Sequence, residues 1–121
     1  MTDEREERLM TVNDVVKIIG VSKRTLQYYD SIGLLPAEKR TKSGYRLFNE
    51  KSLETLKTIA HYKSMGFELK EINEILYTEE YDIVSALKRK REQLKRECDV
   101  ATSKLKKVEQ ELKEILDLDV M

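Results

Sequence analysis

From Val84 onward the apolar residues recur as Val84, Leu87, Leu94, Cys98, Ala101, Leu105, Val108, Leu112 and Ile115, and Arg91 is the single break at a core position. Steps of three and four residues alternate, which is the signature of a heptad seam. A helix of about 36 residues spans roughly 54 Å, far more than a small domain needs along one edge. Such a helix cannot bury its own stripe. It either folds back along its own domain or meets the same seam on a second copy. The stripe is narrow, and Lys, Glu and Arg fill the remaining positions, which favours a homodimeric coiled coil.

The other constraints come from length and charge. A chain of 121 residues holds one modest domain plus an extended element. At that size only about 60–70% of the unfolded surface is buried, which argues against a large catalytic cavity. The 23 basic and 23 acidic residues give zero net charge, at first sight poor credentials for a nucleic-acid partner. The charges are segregated, however. Residues 1–10 hold two bases and four acids (net −2), residues 11–66 ten bases and five acids (net +5), and residues 67–121 eleven bases and fourteen acids (net −3). A locally positive segment is what phosphate binding requires.

The single cysteine excludes an internal disulfide framework and a multi-cysteine metal centre, and fits a reducing cytosol. No apolar run approaches the roughly 18–20 residues of a membrane span. The opening MTDEREERLM is acidic rather than signal-like. These features predict a cytoplasmic protein without a membrane partner.

Within the basic segment, Asn13 is a candidate N-cap for a helix ending at Gly20. Ser22 caps a second helix from Lys23 to about Ile32, stopped by Gly33, with the apolar positions Leu26, Tyr29 and Ile32–Gly33 at three-residue spacing and so facing one way. Two helices joined by Gly20-Val21-Ser22 form a helix-turn-helix pattern. Beyond Pro36, Ser43-Gly44 separates two extended runs and predicts a hairpin, with which a short strand at residues 9–12 can pair. A third helix is expected from an Asn49 cap to about Met65, offering Leu53, Leu56, Ile59, Ala60 and Tyr62 to a core. A fourth covers about Leu69 to Leu76.

The run Gly20-Val21-Ser22-Lys23-Arg24-Thr25-Leu26-Gln27-Tyr28-Tyr29-Asp30-Ser31-Ile32-Gly33-Leu34-Leu35 closely resembles the DNA-binding signature of MerR-type transcriptional regulators. So do Ser43-Gly44-Tyr45-Arg46-Leu47-Phe48 and Met65-Gly66-Phe67-Glu68-Leu69-Lys70-Glu71-Ile72. Together these motifs cover about residues 9–76. The resemblance implies a mainly α fold: a winged helix-turn-helix followed by a long helix that forms an antiparallel coiled-coil dimer. The expected division is an acidic tail over 1–8, a DNA-binding domain over 9–78 and a dimerisation helix over 82–119. Members of this family typically bend and untwist promoters whose spacer is too long for RNA polymerase. The implied partners are double-stranded promoter DNA, a second copy of the chain and RNA polymerase.

A recognition helix presents its N-terminal residues to base edges, so Ser22, Lys23, Arg24, Thr25, Gln27 and Tyr28 are the candidates there. In the family the position of Gln27 is often Arg; Gln favours an adenine edge over a guanine edge. Tyr29 shares the apolar stripe of Leu26 and reads as core. Tyr28 resembles the family tyrosine that touches the DNA backbone, or is an amphipathic side chain on the domain's shoulder. Tyr45 and Arg46 match the family's Gly-Tyr-Arg wing, flanked by Lys39, Arg40 and Lys42, as phosphate contacts that set register without reading sequence. An intramolecular ion pair is the competing role for Arg46. Lys63 matches a phosphate-contacting position of the family and is otherwise an ordinary exposed lysine. His61 reads as a helix-surface histidine, because no second His or Cys lies nearby to make a metal site; no metal or cofactor is expected.

The expected dimer seam is Val84, Leu87, Leu94, Cys98, Ala101, Leu105, Val108, Leu112 and Ile115. Family members usually carry their signal-binding part after or around this helix; the chain is expected to lack such a domain, because the seam runs almost to Met121. The cysteines of the metal-sensing and redox-sensing members are also absent. Cys98 is either a small seam hydrophobe or a redox-reactive thiol. In an antiparallel coil paired over 84–119, the two-fold axis lies near Ala101 or Thr102. The two thiols are then roughly 10 Å apart along it, too far for a disulfide.

No nucleophile–base pair, Gly-rich phosphate loop or carboxylate pair is evident, so the chain is not expected to be an enzyme. The leading function is a homodimeric regulator that binds a palindromic promoter element and modulates transcription by distorting the DNA. Two alternatives stand beside it: a ligand-independent DNA-bending repressor, and a coiled-coil adaptor with a degenerate winged domain.

Overall fold

The computed structural model describes residues 8–120, with side chains through residue 118. The acidic tail expected over 1–8 falls outside this range except for Arg8. The chain forms two compact units, one ending at Glu79 and the other beginning at Glu80.

In the first unit, β1 (Met10–Thr11) leads directly into α1 (Val12–Ile19). The cap of α1 is Thr11, not Asn13. The Thr11 hydroxyl accepts the Asp14 N–H at 3.2 Å, and the Asp14 carboxylate accepts the Thr11 N–H at 3.0 Å. This reciprocal box satisfies two orphan donors, where an Asn13 cap would satisfy one, so the helix starts earlier and residues 9–12 contribute only a two-residue strand. Gly20 ends the helix in the left-handed region, φ 86°, its N–H bonded to the Val16 carbonyl.

Helix α2 (Lys23–Ser31) begins at its predicted cap, Ser22. The wing follows: β2 (Lys39–Arg40) and β3 (Arg46–Phe48) pair antiparallel, and β3 also pairs with β1, giving the order β1-β3-β2. The registers are Met10↔Phe48, Thr11↔Leu47, Lys39↔Leu47 and Arg40↔Arg46. At the wing tip the Gly44 N–H bonds the Thr41 carbonyl and Gly44 takes φ 87°, matching a three-residue hairpin loop closed by a left-handed glycine. Helices α3 (Glu50–Ser64) and α4 (Leu69–Tyr77) complete the unit. Asn49 caps α3 by accepting the Ser52 N–H at 3.0 Å.

One core joins these elements. Val15, Leu26, Tyr29, Leu34, Leu35, Phe48, Leu56, Ile59, Phe67 and Ile72 are all buried. The Tyr77 hydroxyl donates to the Leu34 carbonyl at 2.6 Å, tying α4 to the turn after α2. Burial pushes this phenol's pKa up and keeps it a donor. Two core expectations are corrected. Ala60 is exposed, because the inward turn of α3 is taken by Leu56 and Ile59. Ile32 is 41% exposed, because α2 ends at Ser31 and the chain turns through Gly33, delivering Leu34 and Leu35 to the core instead.

The second unit is α5 (Ile83–Val120). Asp82 caps it, accepting the Ser85 N–H at 3.0 Å and the Ser85 hydroxyl at 2.7 Å. These bonds hold the Asp82 carboxyl below its ordinary pKa. All nine seam residues, from Val84 to Ile115, are exposed in the single chain. No helix of the described residues is long and apolar enough to cross a membrane.

Phe48 is fully buried on the central strand. Phe48→Ala should therefore lower unfolding stability in urea by about 3–5 kcal/mol, whereas Ala60→Ser should change it by less than about 0.5 kcal/mol.

Candidate nucleic-acid interface

The helix-turn-helix presents α2 by its N-terminus. Ser22 accepts the Thr25 N–H at 3.0 Å while its hydroxyl donates to the Thr25 hydroxyl at 2.8 Å. Both groups are thus engaged in capping, and Thr25 is half-buried. Lys23, Arg24, Gln27 and Tyr28 project into solvent, whereas Tyr29, one residue on, is 5% exposed in the core. The helical repeat separates the two tyrosines: Tyr29 falls three residues after Leu26, on the inward face.

Between the start of α1, the α2 N-terminus and the wing lies an open groove of about 430 Å³, lined among others by Asn13, Lys23, Gln27, Tyr45 and Arg46. The wing thereby meets the helix across the groove: Lys23 and Gln27 from one side, Tyr45 and Arg46 from the other. Tyr45 is 73% exposed at the wing tip. Arg24, Tyr28, Lys39, Arg40, Lys42 and Lys63 do not line this groove. Lys39 and Lys42 are exposed along the wing. Lys63 stands on α3 and lines a separate cavity of about 440 Å³, with Thr25, Tyr29 and Ile59 among its other walls. His61 is exposed and packs edge-on against Tyr62, ring centres 5.2 Å apart. Among the described residues no three His, Cys, Asp or Glu side chains converge as a metal-binding group.

The wing arginines are held by a residue that sequence reading passed over. Asp30, near the end of α2, accepts from Arg46 Nε at 2.6 Å and from Arg40 Nη2 at 2.7 Å on one oxygen. Its other oxygen accepts the Ala37 N–H at 3.1 Å. The intramolecular pair anticipated as one role for Arg46 therefore exists. It engages Nε, and among the described residues the two terminal nitrogens of Arg46 have no other protein partner. The one signal in the sequence was that Asp30 is one of only five acids in the basic segment of residues 11–66. Its partners, 10 and 16 residues downstream, were out of reach of any local pattern. Asn13, released from capping, lines the groove, a place that sequence reading did not assign it.

Partial burial by itself raises the Asp30 carboxyl, but the Arg46 hydrogen bond, the Ala37 amide and the two guanidinium charges outweigh it and hold the group below the ordinary aspartate value. A carboxyl depressed on folding stabilises the fold above its unfolded pKa of about 3.9, and that stabilisation is lost as pH falls through the lower folded value. The stability difference between the natural chain and Asp30→Asn should thus be constant near neutrality and shrink as acid titration passes below about pH 3.9, measured by urea unfolding at a series of pH values. A difference independent of pH would refute the pairing.

Comparison with known proteins agrees with this geometry. Residues 10–79 match the family described as MerR HTH family regulatory protein. The chain is 43% identical over 81 residues to the HTH-type transcriptional activator mta of Bacillus subtilis, covering 67% of this chain and 32% of that protein. The crystal structure of MtaN, the N-terminus of the B. subtilis multidrug transporter activator, superposes with a TM-score of 0.78 at 36% identity, over 85% of this chain and 97% of that one. HiNmlR, described as a MerR family regulator lacking the sensor domain and bound to promoter DNA, gives a TM-score of 0.60 at 26% identity, over 87% and 88% of the two chains. The chain spans about half the length, or less, of the curated relatives it matches. With a helix-turn-helix, a wing and a family match over more than half of its residues, the chain belongs to the MerR family of helix-turn-helix regulatory proteins.

Proposed function

We propose that the protein is a bacterial transcriptional regulator that binds double-stranded promoter DNA as a homodimer, acts in the cytoplasm, and modulates RNA polymerase by distorting the promoter. The observation that carries this reading is the groove between α2 and the wing, where Lys23 and Gln27 lie across from Tyr45 and Arg46. A helix N-terminus aimed at base edges beside a basic wing suits a major groove and its flanking phosphates. The similar HiNmlR is described as bound to promoter DNA, which supports the same role here. In this reading Lys23, Arg24 and Gln27 face base edges, while Tyr28, Lys39, Arg40, Lys42, Tyr45, Arg46 and Lys63 serve the backbone. Ser22 and Thr25 act chiefly by fixing the helix start. The domain over 9–78 reads DNA, and the helix over 82–119 joins two copies through the seam, as an antiparallel coiled coil. Nine exposed apolar positions along one stripe are a surface that association with a like stripe removes from water.

Selection of bound fragments from a random duplex library tests the proposal. Recovery of a palindrome with fixed half-site spacing is the expected result; no enrichment would favour the adaptor reading. On a selected duplex, Arg24→Ala should lose roughly 1–3 kcal/mol of affinity and relax one position per half-site. Arg46→Ala should weaken all sequences about equally and lower the salt slope by about one per contact. Leu105→Asp should convert the dimer to monomer by sedimentation, since a carboxylate in the seam is desolvated without a partner. A Leu105→Asp dimer as tight as the natural one would remove α5 from the interface.

A further inference from the structure

Arg40 and Arg46 are direct cross-strand partners in the wing, and like charges directly opposite on an antiparallel pair repel. The only carboxylate within ion-pairing distance of either among the described residues is Asp30, contributed by α2. Its side chain is 10% exposed, against 27% for Arg46 and 48% for Arg40. One oxygen takes both guanidinium groups, and the second takes the Ala37 N–H of the chain leading into β2. Arg40 Nη1 also donates to the Gly44 carbonyl at 3.3 Å. The carboxylate thus ties the end of the recognition helix to the entrance, both strands and, through Arg40, the tip of the wing.

From this arrangement we infer that Asp30 is a positioning residue for DNA binding. It neutralises the repulsion between the two wing arginines and fixes the wing against α2, with the terminal nitrogens of Arg46 left to a phosphate. The inference rests on the DNA-binding reading above and makes a prediction opposite to simple electrostatics. Removing a negative charge beside a DNA site ordinarily tightens binding, because protein and phosphate then repel less. Here the same removal weakens it, because an unrestrained wing must be ordered when the complex forms.

Two measurements on the full chain test this. In the absence of DNA, Asp30→Asn should be cut by trypsin several-fold faster within residues 39–46, where Lys39, Arg40, Lys42 and Arg46 are the cleavable positions, at a denaturant concentration where both proteins stay folded by circular dichroism. With DNA, a fluorescent duplex recovered by the selection should bind Asp30→Asn about tenfold more weakly, the size of one lost charge-assisted hydrogen bond. The salt slope between about 50 and 200 mM should become shallower by about one. In an Arg46→Gln background the further loss on Asp30→Asn should be smaller, since one of the two guanidinium groups that the carboxylate holds is already absent. Should Asp30→Asn fail to fold, Asp30→Glu replaces it: the longer side chain keeps the charge, and it should retain the salt slope while losing less affinity. Equal or tighter binding by Asp30→Asn, additive losses in the double variant, or unchanged wing cleavage would each overturn the inference. If the natural chain binds no duplex, the DNA-binding reading fails and the phosphate role of Asp30 with it, while the cleavage rate still decides whether the carboxylate restrains the wing.

Discussion

Two arginines face each other across the wing hairpin, and a single aspartate from another element accepts from both. The rest of the candidate interface depends on that sharing. Strands β2 and β3 have two and three residues, too short for their ladder alone to hold a hairpin. The wing stands because β3 is also paired to β1, because Phe48 is sunk in the core, and because Asp30 draws both guanidinium groups toward α2. A groove with basic and polar groups on both walls is the consequence.

Helix α2 is placed by similarly local chemistry. Ser22 caps α2, Thr11 and Asp14 cap α1 reciprocally, and Gly20 supplies the left-handed turn between them. Leu26 and Tyr29 then bury the inward face of α2, leaving Lys23, Arg24, Gln27 and Tyr28 outward. The zero net charge takes on a different meaning in this setting. A segment of net +5 carries the candidate interface, and acidic flanks balance it. The sum is uninformative about nucleic acid, because phosphate responds to the local field within about a Debye length of 8–10 Å.

Much of this was legible in the sequence wherever one short stretch contains the whole cause. The Ser22 and Asn49 caps, the hairpin at Ser43-Gly44 and the burial of Tyr29 depend on neighbours a few residues away. The misreadings share one physical origin. Asn13 is a good cap in isolation, and it lost to Thr11 because Asp14 can return the hydrogen bond. Ala60 and Ile32 have apolar side chains, yet their helix positions turn outward once Leu56, Ile59, Leu34 and Leu35 occupy the core. Apolar character says that a side chain can be buried, and only competition for the interior decides whether it is.

By itself the sequence determined the order and character of the helices, the heptad stripe of α5 and the family motifs, since periodicity and turn chemistry are properties of contiguous residues. The tertiary structure decided which side chains share a groove and which carboxylate serves the wing. Asp30 lies 10 and 16 residues from the arginines it holds, and that proximity exists only after α2 and β3 have each packed on α1 and β2 has paired with β3. Charge pairing acts through space over a few ångströms, and distance along the chain carries no record of it.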